Sequence, residues 1–355
     1  MILRTLTLSV SLIKQMKPKE SVLKLVKKLA HEIKNDAYKS VSLLTGAGVS
    51  VACGIPDFRS PGGMYDTLRP DFLTATESQR QNMRVDPTTV VSWKLFQENQ
   101  FPYMEVRRPF ILGTSARQWK MSLSHYFARA LYERGILNTL YTQNIDGLDF
   151  QTGVPEDKIV SVHGTIARAE CEFCSTAQDQ ATFIDSVRCN IKDIYGLDPN
   201  APRNSSPILC LHCQKPGVKP ATVLYGRSLP SKFFKSCEEH LPACDLLLVM
   251  GTSLTVHPAA GVPDHPLLPV SAKRVLINLE PAGSLDFLNQ PGSRDAFLRG
   301  DCDDILLHLM DELGWLEDVP VESLCASSKE LVLDFLRQKT FSEVVKEAAG
   351  LRGGA

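Results

Sequence analysis

No stretch of the 355 residues approaches the ~18 consecutive apolar residues that span a bilayer, so the chain offers no candidate membrane helix. Nor is either sign of charge in excess: 39 Lys and Arg stand against 40 Asp and Glu, a formal net charge of -1. That removes a global electrostatic case for nucleic acid or an anionic membrane, although a groove for a basic peptide can carry its own local charge. No internal repeat is present. Cysteine, by contrast, is not scarce. Four of the ten fall in two Cys-x-x-Cys pairs and six are scattered without spacing. A disulfide framework of a secreted protein is therefore a poorer reading than a metal site in a reducing compartment.

The length suffices for two domains of roughly 100–200 residues each, and the 43% hydrophobic and 22% charged residues are those of an ordinary soluble globular chain. Residues 1–19 carry Arg4, Lys14, Lys17 and Lys19 and no acid. That composition fits a mitochondrial presequence, with a disordered or packed extension as the plainer reading. Lys17-Pro18-Lys19 is too short for a nuclear signal. Residues 20–36 place Val22, Leu25, Val26, Leu29, Ala30 and Ile33 at helical spacing.

Short apolar runs at Val41–Thr45, Thr139–Thr142, Asp245–Gly251 and Arg274–Leu279, with Ile159–Val162 as a weaker one, end in glycine or polar residues. Helical patterns such as Leu123–Arg134 and Asp303–Leu313 lie between them. Alternation of this kind predicts an α/β fold with a doubly wound parallel sheet, whose ligands sit at the strands' carboxyl ends. Residues 69–120 (with Trp93, Phe96 and Phe101 as possible core) and 168–217 (with the irregular Asp198–Pro207) break the alternation and predict a second, smaller domain. The tail after Trp315 holds one helical stretch, Leu331–Ala349.

Cys171, Cys174, Cys210 and Cys213 can close a tetrahedral four-thiolate zinc site, which leaves no open position for water and is thus structural. The alternatives are free thiols or a redox pair. The 35 residues between the pairs exceed the usual spacing of about 15–20. His212 could compete as a ligand, and Cys189 reads as filler.

Gly46-Ala47-Gly48-Val49-Ser50, then Gly54-Ile55-Pro56-Asp57-Phe58-Arg59, follow the first strand. Glycines let a backbone approach a pyrophosphate, whose charge helix-start amides can meet. A bare Gly-x-Gly is weak, and the third glycine of the dehydrogenase fingerprint is missing. The Asp and Arg of the second block have no packing rationale. Thr142-Gln143-Asn144-Ile145-Asp146 follows a strand and offers amide and carboxylate groups for ribose hydroxyls and a carboxamide; a helix N-cap at Asn144 is the bland alternative. His163, in Val162-His163-Gly164-Thr165, is a candidate base, although a lone histidine is more often a satisfied core or surface residue. His31, His125, His240, His257, His265 and His308 have no comparable context.

Taken in order, GAGVS…GIPDFR, TQNID, HGT, the two cysteine pairs, VKP…YG, GTSL, INLE and GDC resemble the sirtuins, the NAD-dependent protein deacylases, over roughly residues 40–315. Phe58-Arg59-Ser60-Pro61 and Gly63-Met64-Tyr65 are closest to the deacetylase branch. The resemblance implies a Rossmann-like large domain and a smaller zinc-binding domain, flanked by an extension at 1–39 and a tail at 316–355. It also implies NAD as co-substrate, one structural Zn2+, and acetylated proteins or peptides as partners, histones among the plausible ones. Ala47, Gly48, Gly251, Ser253, Asn278 and Cys302 would line the adenosine and phosphate side. Asp57, Phe58 and Arg59 would form a cofactor loop, and Gln143 would hold the nicotinamide ribose. Asn144 and Asp146 would surround the carboxamide, with Asn144 counted beside His163 as catalytic. Gly46, Ser50, Ile55, Pro56, Tyr65, Ile145, Thr252 and Glu280 would complete the cofactor side. Val223, Tyr225 and Gly226 would pair with the substrate as an added strand. His163 would be the base, and the products free lysine, nicotinamide and O-acetyl-ADP-ribose.

Two departures remove negative charge at the peptide edge: Lys219-Pro220-Ala221 where the family usually has aspartate third, and Gly226-Arg227 where glutamate often follows glycine. Asp198–Pro207 and Pro263-Asp264-His265-Pro266 also differ. Against deacetylation stand a protein ADP-ribosyltransferase at the same NAD site, a non-catalytic zinc-binding module, and an ordinary NAD dehydrogenase. The base, the neutral charge and the missing third glycine respectively argue against them. The expected compartment is nuclear or cytoplasmic, or mitochondrial if the acid-free N-terminus is a presequence.

Overall fold

The computed structural model describes residues 18–55, 63–285 and 292–352. In chain order the strands are β1 (Val41–Thr45), β2 (Leu137–Thr142), β3 (Ile159–Ser161), β4 (Gly164–Cys171), β5 (Ala177–Gln178), β6 (Val218–Thr222), β7 (Leu246–Met250), β8 (Lys273–Asn278) and β9 (Asp295–Arg299). Six form one sheet in the order β3-β2-β1-β7-β8-β9, every neighbour parallel. The central strands β1 and β7 are buried at all five positions. Their sequences, VSLLT and LLLVM, show no polar alternation because both faces of the sheet are covered. The chain runs outward from β1 to β2 and β3, then returns to place β7 on the other side of β1. Ligands bind at such a switch point, outside the carboxyl ends of the strands.

The helix Glu20–Lys34 buries Val22, Val26, Leu29, Ala30 and Ile33 in the same core as Leu43, Leu248 and the helix Cys302–Leu313. The C-terminal helix, Ala326–Arg352, begins five residues before the expected Leu331 and places Val332 in that core as well. The N-terminal helix and the first turns of the C-terminal helix are thus packed against the sheet domain. Among the described residues no helix is long and apolar enough to cross a membrane.

The two insertions share a separate core, with Leu73, Met83, Phe96, Tyr103 and Met104 from the first meeting Phe183, Ile184 and Val187 from the second. Trp93 packs at its margin and Phe101 is only half-buried. Four elements here and one in the main sheet escape the sequence pattern. The antiparallel sheet β5-β4-β6 has an irregular register between Thr165 and Ala169, and Pro220 lies inside β6, so the two-residue alternation is lost. The helix Gln180–Asn190 is capped by Asp179 but has a weak apolar stripe. β9 is a short edge strand anchored by Arg274, whose Nε and one terminal nitrogen lie 2.7 and 2.8 Å from the two oxygens of Asp295.

Candidate active site at the carboxyl edge of the sheet

The loops leaving β1 and β7 are joined backbone to backbone. The Gly46 N–H donates to Met250 O at 3.0 Å and the Gly48 N–H to Gly251 O at 2.8 Å. A Cβ on Gly48 would stand 2.5 Å from Gly251 Cα. The glycines expected for a pyrophosphate therefore have a packing requirement of their own: only glycine lets the two loops approach so closely. Ala47–Cys53 continues as a 3-10 helix.

Beneath this turn lies a buried polar network. Asn144 donates from Nδ2 to Gly46 O at 2.9 Å and to Ser50 Oγ at 3.1 Å. Ser50 Oγ donates to Asp146 Oδ2 at 2.7 Å, while Asp146 Oδ1 accepts the Leu148 N–H at 2.9 Å. Asn144 does not act as the N-cap of the following turn, whose cap position is Gly147. Two residues that the sequence did not single out complete the cluster. His125 Nε2 lies 3.4 Å from Ser50 Oγ, and Asp149 lies alongside, with ligand-type atoms of His125, Asp146 and Asp149 all within 4.8 Å of one another. Burial raises the Asp149 carboxyl and the charge of Asp146 adds to this, with His125 opposing. The available signal for His125 was Ser122-x-x-His125, a capping box whose third residue is His rather than Glu or Gln.

His163 sits across the same edge. Its Nδ1 lies 2.9 Å from the carbonyl oxygen of Gln143. A carbonyl only accepts, so Nδ1 carries the proton and Nε2 is the basic nitrogen of the neutral ring. Gly164 next to it has φ +77, and a Cβ there would fall 2.0 Å from Ala221 O. That close approach, followed by the hydrogen bond from Val223 N to His163 O at 2.9 Å, fixes the backbone bearing the imidazole. Gln143 Nε2 donates to Thr252 Oγ1 at 2.9 Å. Farther along the edge, Asn278 Nδ2 donates to Thr252 O at 3.2 Å and Glu280 O at 2.8 Å, Ser253 Oγ meets Thr255 Oγ1 at 2.9 Å, and Glu280 pairs with Arg299. Cys302 is buried with its Sγ 3.6 Å from Ile277 O. Ile145 is buried, and Ile55 packs beside Cys53 and Leu148. Pro56, Asp57, Phe58 and Arg59 lie outside the described residues.

At the expected peptide edge, Tyr225 has its main chain engaged internally: its N–H donates to Val91 O at 3.0 Å and its carbonyl accepts from Trp93 N at 2.9 Å. An added strand there would use the carbonyl of Val223 and the main chain of Gly226, with Tyr225, its Oη 3.4 Å from Tyr65 Oη, as a side wall. Arg227 turns back to Glu172, Nε to Oε1 at 3.0 Å, and over the Trp93 ring at 5.4 Å. Lys219 is fully buried and pairs with the other oxygen of Glu172 at 3.0 Å. Of the two departures, Arg227 is thus paired with Glu172, and Ala221 sits with its carbonyl against Gly164.

The four thiols of the cysteine pairs converge. Cys171 and Cys213 have sulfurs 3.6 Å apart, Cys174 and Cys210 3.7 Å, and all four lie within 4.8 Å of one another. Zn–S bonds of ~2.3 Å at tetrahedral angles put sulfurs ~3.8 Å apart, whereas a disulfide needs ~2.05 Å. The residues present therefore fit one closed zinc site. His212 is exposed and outside the cluster, and Cys189 is exposed.

The sequence profile of the Sir2 family matches residues 46–258. NAD-dependent protein deacetylase hst2 of Schizosaccharomyces pombe is 34% identical over 329 residues, 91% of this chain and 88% of that protein. NAD-dependent protein deacetylase sirtuin-2 of Danio rerio is 30% identical over 82% of this chain and 72% of its own length. NAD-dependent deacetylase sir2A of Dictyostelium discoideum is 33% identical over 82% of this chain, which spans about half (52%) of that longer relative.

Proposed function

Because this chain belongs to the Sir2 family, we propose that it removes acetyl groups from protein lysines, consuming NAD and releasing nicotinamide and O-acetyl-ADP-ribose. The observation that carries this reading is the direct link between the candidate base and the candidate cofactor loop, His163 Nδ1 to Gln143 O at 2.9 Å. It joins two motifs that a deacetylase needs in one place. The relatives, themselves NAD-dependent protein deacetylases, point the same way.

NAD supplies the electrophilic ribose carbon and, in nicotinamide, the leaving group. The acetyl oxygen of the substrate is the nucleophile, and binding, orientation and proton transfer fall to the chain. The main-chain turn Gly46–Gly48 and the loop Gly251–Ser253 meet the phosphates, with Asn278, Glu280 and Cys302 on the adenosine side. Asn144 and Asp146 meet the carboxamide, backed by Ile145, Ser50 and Ile55. Gln143, its amide held by Thr252, orients the ribose, and His163 Nε2 accepts the ribose proton, a role worth roughly 10²–10⁴-fold. The acetyl-lysine peptide lies along Val223–Gly226 beside Tyr65, in a cleft between the sheet domain (within 40–315) and the smaller domain built from the insertions near 69–120 and 168–217. Zinc holds the smaller domain and takes no part in the chemistry, since four thiolates leave no coordination position for substrate.

Acetylated histones are the first substrates to try, and nucleus or cytoplasm is the compartment in keeping with the cysteine usage. The mitochondrial alternative rests on residues 1–19, of which 1–17 lie outside the described residues. The test is mass spectrometry of an acetyl-lysine peptide incubated with the chain, with and without NAD. Loss of the acetyl group only with NAD supports the proposal. ADP-ribose attached to protein with the acetyl group retained selects the transferase reading instead, and no NAD consumption with any acyl peptide rejects both.

A further inference from the structure

Arg227 stands directly after the expected peptide edge Val223–Gly226 and has no place in the chemistry above. Its side chain is placed rather than loose. Nε lies 3.0 Å from Glu172 Oε1, and the guanidinium carbon lies 5.4 Å from the centre of the Trp93 ring. Trp93 is itself tied to this edge, since its N–H donates to Tyr225 O at 2.9 Å. The two terminal nitrogens have no hydrogen-bond or ion-pair partner among the described residues, and the side chain is 46% exposed.

The interior does not require this charge. Glu172 is the buried carboxylate here, and the fully buried ammonium of Lys219 already meets its other oxygen at 3.0 Å. Glu170, 3.6 Å from the same ammonium, is 40% exposed and screened by water. Ala221, where the family usually has aspartate, brings no opposing charge to the edge. A guanidinium held at Nε and on one face, with its terminal nitrogens open, is suited to a carboxylate, which it can meet with two hydrogen bonds.

We propose that Arg227 selects the protein substrate, favouring acetyl-lysine segments with an aspartate or glutamate a few residues from the modified lysine over lysine-rich ones. The inference rests on the reading that the acetyl-lysine peptide lies along Val223–Gly226. The main chain sets the reach. The Val223 N–H donates to the carbonyl of His163, so the acetyl-lysine enters beside Val223. Arg227 is four residues farther on, at most roughly 13 Å at about 3.3 Å per extended residue. A carboxylate on the second to fourth residue from the acetyl-lysine, on one side, meets it.

The test uses the full chain, NAD, and acetyl-lysine peptides of otherwise neutral sequence. Each carries Glu or Lys at the second, third or fourth position on either side, and initial rates are read by mass spectrometry. On one side the Glu peptide is expected to exceed its Lys counterpart in kcat/KM by about threefold to tenfold, an ion pair gained against one repelled. The difference should lie in KM and shrink as salt is raised to about 0.5 M. Arg227→Gln, which keeps a flat amide for Trp93 and drops the charge, should bring the ratio to about one. Arg227→Glu should reverse it, and thermal melting checks that both variants fold; if Arg227→Glu does not fold beside Glu172, Arg227→Gln decides alone. Equal or reversed rates in the parent, or a preference that survives in Arg227→Gln, overturn the inference and leave the deacetylase reading standing. A parent chain that deacetylates none of the peptides with NAD present overturns that reading and this inference with it.

Discussion

The imidazole of His163 is tethered to the main chain of Gln143, Nδ1 to carbonyl oxygen at 2.9 Å, so the two motifs expected to serve one reaction move as one body. His163→Ala removes the basic nitrogen without disturbing the loop, because Gln143 keeps its bond from N to Thr45 O and its amide bond to Thr252. The expected result is a kcat lower by roughly 10²–10⁴-fold with NAD affinity little changed, read by initial rates and calorimetry. Loss of NAD affinity equal to the loss of rate would show that the histidine binds rather than transfers a proton.

Gly48 and Gly261 make a contrasting pair. A Cβ at Gly48 would lie 2.5 Å from Gly251 Cα, with backbone on both sides and no flexible side chain to give way. A Cβ at Gly261 would meet nothing within 4 Å. Gly48→Ala should cost about 1–3 kcal/mol or more, as overpacking does, and abolish NAD binding. Gly261→Ala should be neutral or slightly stabilising through the unfolded state. Urea denaturation of both decides it. Equal, small effects would mean that the two loops are not held as close as 2.8 Å from Gly48 N to Gly251 O.

The zinc reading makes a quantitative claim. Metal analysis should give about one zinc per chain, as a closed four-thiolate site requires. Cys210→Ser, at a fully buried position, should lose the metal and lower the melting temperature. Cys189→Ser and His212→Ala, both exposed, should keep metal and stability. Retention of zinc in Cys210→Ser with loss in His212→Ala would reassign the fourth ligand.

The parts of the fold that could be read from sequence are those in which chemistry and periodicity coincide. β1 and β7 are buried at every position because parallel strands covered on both faces need no polar alternation, and the motif residues Gly46 and Gly251 follow directly at their carboxyl ends, as Gln143 does at that of β2. β4 and β6 were not legible because the irregular register after Thr165 and the proline at 220 destroy the two-residue period. Lys219 reads as surface charge in any sequence, and only the fold brings Glu172 close enough to bury it. His125 was passed over for a related reason. Its partners Ser50 and Asp146 arrive from other elements, and the one local sign was a capping box with an unusual third residue.

Asp304 gives the pH dependence of stability a definite sign. It sits in the first turn of the helix Cys302–Leu313 beside Asp301 and Asp303. Burial first, then the charges of those two neighbours, raise its pKa to about 6, against about 3.9 for an unfolded chain. The folded state therefore holds this proton to higher pH than the unfolded state does. The resulting stabilisation is complete below about pH 4 and is lost as the pH rises through about 6. A helix N-terminus favours one anion by up to about 1 kcal/mol, but here it is shared by three carboxylates, and Asp303 is already engaged by the Ser124 N–H at 2.9 Å. Asp304→Asn removes the charge and keeps the shape. Urea unfolding at pH 7.5 should show the variant more stable by up to about 3 kcal/mol, the two-unit shift taken at full value, and the advantage should shrink towards pH 4. A gain of the same size at both pH values would trace it to the packing of the amide, and a loss at pH 7.5 would mean that the helix terminus stabilises the carboxylate more than burial and its neighbours oppose it.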